Sequence, residues 1–355
     1  MTRAPLLLSL VLAAVVGLVP PATSHAQGLA GRVALEAIAS AATNARALDD
    51  PSLIFDLVGT VRVTDGLDIV VRPWSMRRPG GDWMFEMYQL QLRYVSSTRL
   101  PFRVDAGILP SPVGLFTLEL QAHRNPLVTA PFYYFTPLPP IDGSGERMRL
   151  ISGGYPLGAM FSVSGARWDA RAGVTDSTPA HPRELFGGSR PPAQAQLVLG
   201  GGITPITGMR IGAGFTRGRY RSVTTTGTVI DSRIATVFTL EGEYAIRHTR
   251  VAGEWVRDRF DTSAGAAIAR GFNVQVTQTL APRVFAAARA THVSSPVTTV
   301  PVAVRRTSTA WEAGVGYRLT TELTLRGGYQ RERGYTDARW HNAAVMSLVW
   351  AERWW

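Results

Sequence analysis

Arginine is the residue type with the most chemistry on offer in this chain. All 37 basic side chains are arginines, no lysine occurs, and 26 carboxylates oppose them, for a formal charge of +11. The guanidinium fork pairs with carboxylate or phosphate oxygens two at a time. Read against the local alternation of apolar and polar residues, the arginines fall into two sets. One set lies on polar faces: Arg62, Arg93, Arg103, Arg167, Arg171, Arg210, Arg318 and Arg326, in the company of Asp105, Glu241, Glu254 and Glu312. Such a set suits a water-filled passage and would raise the local concentration of small anions. The opposing reading is that cross-strand pairs with the carboxylates cancel most of the field. The second set continues apolar faces to their ends: Arg217, Arg219 and Arg221; Arg257 and Arg259; Arg331 and Arg333. These ladders suit phosphate clamps, or are solvated loop charge.

Other chemistries find little support. The absence of cysteine excludes disulfides, thiolate metal sites, a Cys nucleophile and a lipid-modified N-terminal Cys. Six histidines are scattered without the spacing of a zinc site, and no glycine loop stands between a strand and a helix to cradle phosphate. Neither a metal nor a cofactor is expected. A hydrolase would need a serine beside a histidine. His341 and Ser347 share a face but sit about 20 Å apart at about 3.3 Å per residue, too far to form one site. Ser162 or Ser164 with His341 stays open, against the alternative of plain polar wall.

The elements that must carry these residues begin after a secretory leader. Arg3 precedes an apolar run from Leu6 to Val19, Pro20-Pro21 end it, and Ser24-His25-Ala26 offers small residues for cleavage after Ala26. The run is shorter than the roughly 18 residues of a spanning helix. Residues 1–26 are therefore expected to leave, and 27–355 to form one domain with a formal charge of +10. A basic balance of this size suggests nucleic acid, but export argues against it.

From Gly31 onward the pattern has period two. In Ile234–Tyr244 one face carries Ile, Thr, Phe, Leu, Gly and Tyr; in Trp311–Leu319 it carries Trp, Ala, Val, Tyr and Leu. A soluble sandwich alternates as well, so the connections decide. Short ones, such as Thr64-Asp65-Gly66 and Arg247-His248, take turns with long ones, such as 43–52, 110–156 and 175–193. That sorting predicts an all-β, transmembrane, antiparallel up-and-down barrel of about 16 strands, between about 14 and 18. Lipid would cover one face of each strand. Tyr88, Tyr94, Trp168, Phe215, Tyr244, Trp255, Trp311, Tyr317, Tyr329 and Trp350 fall on that face. The first strand is the weakest, since Ala34–Ala42 suits a short helix equally.

Connector 110–156, the third outer loop, is the longest. It is rich in proline and contains Phe132-Tyr133-Tyr134-Phe135. It either folds inward as a pore constriction or caps the mouth. Glu119, Arg124, Phe132, Tyr133, Tyr134, Asp142 and Glu146 are its candidates for lining a constriction.

Met346, Leu348 and Trp350 alternate with Ser347, Val349 and Ala351, and Trp354-Trp355 end the chain. Here the sequence resembles the Gram-negative outer-membrane porin superfamily, whose last strand ends in an aromatic residue; Glu352-Arg353 interrupts the match. The stretch Val104-Asp105-Ala106-Gly107-Ile108-Leu109-Pro110-Ser111-Pro112-Val113-Gly114 is similar to the place in phosphate-selective-type porins where a strand runs into its outer loop. The resemblance implies a passive diffusion channel for small hydrophilic solutes in the bacterial outer membrane, often a homotrimer, with Trp355 read by the barrel-insertion machinery. In that setting the outer arginine ladders would meet lipopolysaccharide phosphates. A plugged structural or adhesive barrel is the alternative.

Overall fold

The computed structural model describes residues 33–44, 51–96, 101–139, 148–181, 194–223, 228–262, 265–296, 306–335 and 339–354. The leader with Ala26, the loop residues Asp142 and Glu146, and Trp355 lie outside them. Sixteen strands follow in chain order. The first eight are β1 (Val33–Asn44), β2 (Ser52–Thr64), β3 (Leu67–Arg77), β4 (Trp83–Val95), β5 (Phe102–Ile108), β6 (Leu157–Ser164), β7 (Trp168–Thr175) and β8 (Gln196–Ile203). The others are β9 (Met209–Val223), β10 (Val229–Ile246), β11 (Thr249–Thr262), β12 (Gly265–Ala281), β13 (Val284–Ser294), β14 (Thr307–Arg318), β15 (Leu323–Arg333) and β16 (His341–Trp354).

Each strand pairs antiparallel with the next, and β1 closes the ring on β16. Closure matters physically, because lipid offers no partner to an unpaired backbone group. It also explains β1, where Ala39 faces Phe55 on one side and Trp350 on the other. Two ladders of pairing outweigh the helical leaning of an alanine-rich segment. The two-residue turns need unusual backbone: Gly66 has a φ of 84°, and a Cβ there would stand 2.7 Å from the Val95 carbonyl. Arg247 takes a φ of 53° at the corresponding β10–β11 turn.

Alternate residues face out and in. Along β13, Ala288 and Ala290 are exposed while Ala287, Arg289 and Thr291 are buried. The outer face is apolar, with Leu92, Phe161, Leu199, Leu240, Phe272 and Leu348 all exposed. Near the short-turn rim it carries Tyr94, Trp168, Tyr244, Tyr317, Trp350 and Trp354, the girdle of a membrane barrel. Among the described residues no helix is long and apolar enough to cross a membrane, which leaves the strands as the crossing elements.

Tyr88 departs from its expected outward position. The β3–β4 register shifts at Arg72/Pro73, so β4 carries one extra residue opposite β3. That bulge turns Tyr88 inward beside Gln89, where it stacks between Trp74 (4.6 Å between ring centroids) and Tyr155 (4.2 Å). The other nine aromatics keep the outward parity of their strands.

The inner face is less polar than alternation implied. Val198, Ala235, Val237, Val256, Phe260, Ala269 and Val293 point inward and are buried. They pack on Val113, Phe116, Leu150 and Ile151 of the β5–β6 connection. This connection lies inside the barrel. Its neck is closed by Leu109 N–H donating to the Pro156 carbonyl at 2.8 Å. A 3-10 turn (Leu115–Leu120) and one helical turn (Phe132–Phe135) follow the neck.

Candidate functional site: the lumen and the loop within it

The loop is clamped to one wall by buried charge. On β11, Glu254 accepts from Leu115 N–H (3.1 Å), from the Tyr134 hydroxyl (2.9 Å) and from the Tyr133 hydroxyl. On β14, Glu312 accepts from the backbone N–H groups of Val128 (2.9 Å) and Thr129 (3.2 Å), and from the Thr129 hydroxyl. Arg289 on β13 bridges it at 3.1 Å, and both side chains are only 3% exposed. On β15, Arg326 donates to the carbonyls of Ala122 (2.6 Å), Leu127 (2.7 Å) and Asn125. Glu119 reaches the other way, accepting from Arg250 (2.8 Å) and Gln275 (2.7 Å). Charges this deep are tolerated because nearly every oxygen and N–H has a partner.

Several residues expected to line open water therefore do something else. Glu254, Glu312 and Arg326 lie beneath the loop and hold its backbone. Tyr133 and Tyr134 are fully buried against that wall, and Glu119 is buried and paired. Phe132 is half-buried beside Arg289 and Trp311. Of the constriction candidates, Arg124 alone among the described residues is charged and exposed, touching His123 Nε2 at 3.3 Å. The reason is geometric: parity states which face a side chain is on, not what packs against that face.

The rest of the lumen is hollow. A cavity of about 660 Å³ lies against β11–β16, and one of about 510 Å³ lies against β2–β10; Glu36 and Arg124 border both. Five arginines and three carboxylates line the larger, six and three the smaller. The pairs are lopsided in exposure. Asp105 is held by Arg93 Nε (2.9 Å) and Arg103 Nε (2.7 Å); Arg103 is 48% exposed and Asp105 7%. Glu241 meets Arg210 at 2.7 Å and Arg171 at 4.0 Å; Arg171 is 27% exposed and Glu241 3%. Arg210 also grips Asp169 at 3.0 Å. At Asp105 and Glu241 the carboxylate sits against the wall and the arginine is the more exposed partner, whereas Asp169 (36%) is as open as Arg210 (30%).

Nearer the short-turn rim, Arg62 pairs with Asp68 at 3.5 Å, and Arg167 is exposed in the β6–β7 turn. Arg318 lies over Phe285, 5.3 Å from the ring centroid, and donates to the Pro282 carbonyl at 3.2 Å. On the opposite side of the smaller cavity Arg72 forms a fork with Asp56 (2.8 and 2.6 Å) and donates to the Tyr155 hydroxyl at 2.8 Å. Burial pushes the Tyr155 hydroxyl, on the loop, up to about 12. His123 stands 3.5 Å from Glu36. Burial away from water pushes its imidazole down to about 4, against the upward pull of Glu36.

Arg72 and Arg289 were missed by sequence reading. Both carried a signal: each is a lone charge at the inward parity of an otherwise apolar run, Val70-Val71-Arg72-Pro73-Trp74 and Ala286–Ala290. Glu36, His123 and Tyr155 had none, because their roles depend on which loop segment meets which strand.

On the outer face, Arg217, Arg219, Arg257 and Arg259 are exposed near the long-loop rim, and Arg221 is half-buried. Arg270 joins them directly across from Arg257. Arg331 and Arg333 instead lie over the Trp340 ring, at 4.7 and 4.9 Å from its centroid. The serine–histidine pairing is not formed. Ser162 and Ser164 end β6 near the short-turn rim, whereas His341 begins β16 at the other rim, six strands around the ring. Among the described residues no group of three metal-ligating side chains gathers.

No protein-family model and no curated protein matches the chain. Solved structures do. OprB of Pseudomonas putida shares 11% identity at a TM-score of 0.61, with 93% of this chain and 96% of that one covered. The anion-selective porin of Comamonas acidovorans shares 11% at 0.57, covering 91% and 99%. OmpT, an outer-membrane protein of Vibrio cholerae, shares 13% at 0.55, covering 91% and 97%. At such identities the likeness is one of architecture, and with the closed ring it gives this chain the fold of a 16-stranded outer-membrane porin barrel.

Proposed function

We propose that the protein is a passive channel of the bacterial outer membrane for small hydrophilic solutes, with a weak preference for anions. The observation that carries this reading is the lopsided burial of the lumen charges. Around Asp105 and Glu241 the guanidinium groups reach the water while the carboxylates stay against the wall, so pairing there leaves a positive field on the solute's side. The anion-selective porin of Comamonas acidovorans has the same architecture, which supports the reading without fixing the solute. Reversal potentials of the purified barrel in a planar bilayer, under a potassium chloride gradient, test it. Anion preference is expected, and cation preference would reject it.

A plugged structural barrel is the second reading. Its support is the apolar core that the third loop builds with β8–β13 inside the ring. Absence of conductance steps in the same bilayers would favour it. The outer arginines Arg217, Arg219, Arg257, Arg259 and Arg270 fit lipopolysaccharide phosphates, since two like charges directly across strands repel unless an anion bridges them. Arg217→Gln with Arg219→Gln should lower stability in lipopolysaccharide more than in plain phospholipid; an equal loss would remove the clamp. One solved form of Vibrio cholerae OmpT is a trimer, and a homotrimer belongs to the same proposal here. The mass of the detergent-solubilised particle would check it.

A further inference from the structure

Resting on the channel reading above, we propose that the smaller cavity holds a saturable site for a small organic anion, a carboxylate with an apolar body, centred on Arg103 and Arg171. The inner wall there is a continuous hydrogen-bonded row. Arg103 on β5 stands opposite Ser162 on β6, Ser162 opposite Arg171 on β7, and Arg171 opposite Gly200 on β8. Neighbouring strands are about 4.8 Å apart, so the two arginines flank Ser162 at about 10 Å, a spacing from which both guanidiniums reach one carboxylate.

A glycine floor shapes this wall. A Cβ at Gly200 would stand 2.6 Å from Arg171 Nε, and Cβ atoms at Gly202 and Gly212 would stand 2.8 and 2.9 Å from the terminal nitrogens of Arg210. The bare backbone lets both guanidiniums lie against the sheet, leaving the cavity open in front of them. Their donors are unequally committed. Arg210 gives Nε and Nη2 to Asp169 and Nη1 to Glu241. Arg171 approaches Glu241 only at 4.0 Å, and its Nε has no hydrogen-bond partner. Arg103 engages Asp105 through Nε. Both side chains line the cavity, and Arg103 is 48% and Arg171 27% exposed.

The opposite wall is the loop, which presents Leu115 and Leu118; Leu118 is 54% exposed. A volume of about 510 Å³ falls within the roughly 300–1,000 Å³ of small-molecule sites. Arginine donors on one side and leucine on the other fit a carboxylate carrying hydrocarbon better than an inorganic anion.

Block of the chloride current by added benzoate tests this, with acetate and inorganic phosphate as comparators. Benzoate should block saturably, at least about tenfold more tightly than either comparator. Arg171→Gln should weaken the block by about tenfold or more, the loss of a hydrogen bond to a charged group. Gly200→Ala keeps every charge but crowds Arg171 and should also weaken the block. Leu118→Ser should erase the advantage of benzoate over acetate. An anion-preferring channel that benzoate does not block saturably would overturn the site and spare the channel reading. Equal block by phosphate would overturn the ligand class. If the barrel does not conduct, calorimetric titration of benzoate into the detergent-solubilised protein decides: saturable binding lost in Arg171→Gln upholds the site, and no binding overturns it.

Discussion

The two sides of the lumen use one residue type for opposite purposes. On β11–β15, Arg289 and Arg326 are buried and bound to a carboxylate and to loop carbonyls. On β5–β10, Arg103, Arg171 and Arg210 are partly open to a cavity, and the carboxylates Asp105 and Glu241 behind them are buried. What separates the two sets is the third loop, whose backbone Glu312 and Arg326 hold and whose Leu115 and Leu118 border the smaller cavity with Arg103 and Arg171. An arginine under the loop is a rivet. One facing the cavity is a source of field. Glu254 and Glu241 sit directly opposite each other on β11 and β10, yet Glu254 anchors tyrosines and Glu241 anchors arginines.

The contrast can be broken most forcefully at its buried end. Glu312→Ala leaves Arg289 charged, buried and unpaired and frees Thr129, and should cost about 3–5 kcal/mol. Thermal unfolding in detergent reads the loss, and larger single-channel conductance should accompany it as the loop comes away. A stable variant with unchanged conductance would show that the loop does not depend on this wall.

On the open side, Tyr155→Phe removes one acceptor from the buried Arg72 and should cost about 1–3 kcal/mol, with little change in ion preference. A large change in preference would mean that the aromatic stack is part of the solute path.

Acid should loosen the loop around His123. His123 is held neutral by burial, with its folded value near 4 against about 6.5 when unfolded. The unfolded chain therefore binds the extra proton first. The contribution of His123 to stability is full above pH 6.5 and falls away as pH drops toward 4. Urea midpoints at pH 7 and pH 5 check the direction, and His123→Gln should flatten that slope.

The smallest effect belongs to the half-exposed pair Arg250–Glu243. Glu243→Gln should change stability by no more than about 1 kcal/mol while making the larger cavity more positive. Reversal potentials should move toward anions. Movement toward cations would show that exposure asymmetry does not set the field.

Much of the fold was legible along the chain. Alternation and the sorting of connections gave the strand number, the segments Ile234–Tyr244 and Trp311–Leu319 fall in β10 and β14, and nine of ten named aromatics lie outside. Tyr88 escaped because a one-residue bulge reverses parity without any local mark in Trp83–Val95. The inward faces of Arg93, Arg103, Arg171 and Arg210 were also legible. Their setting was not: the glycines at 200, 202 and 212 become a floor for arginine only where the sheet brings them beside Arg171 and Arg210.

Residue order alone predicted which side of most ribbons faces outward and that the ribbons close, because a period of two and paired backbone groups are local demands. It could not settle which inward charges touch water. Val128 donates to Glu312 from 184 residues away, and the Arg326 guanidinium holds carbonyls about as distant. Contacts of that span exist only once the ring has closed and the third loop has chosen a wall, and burial by that loop makes one arginine structural and leaves another to meet the solute.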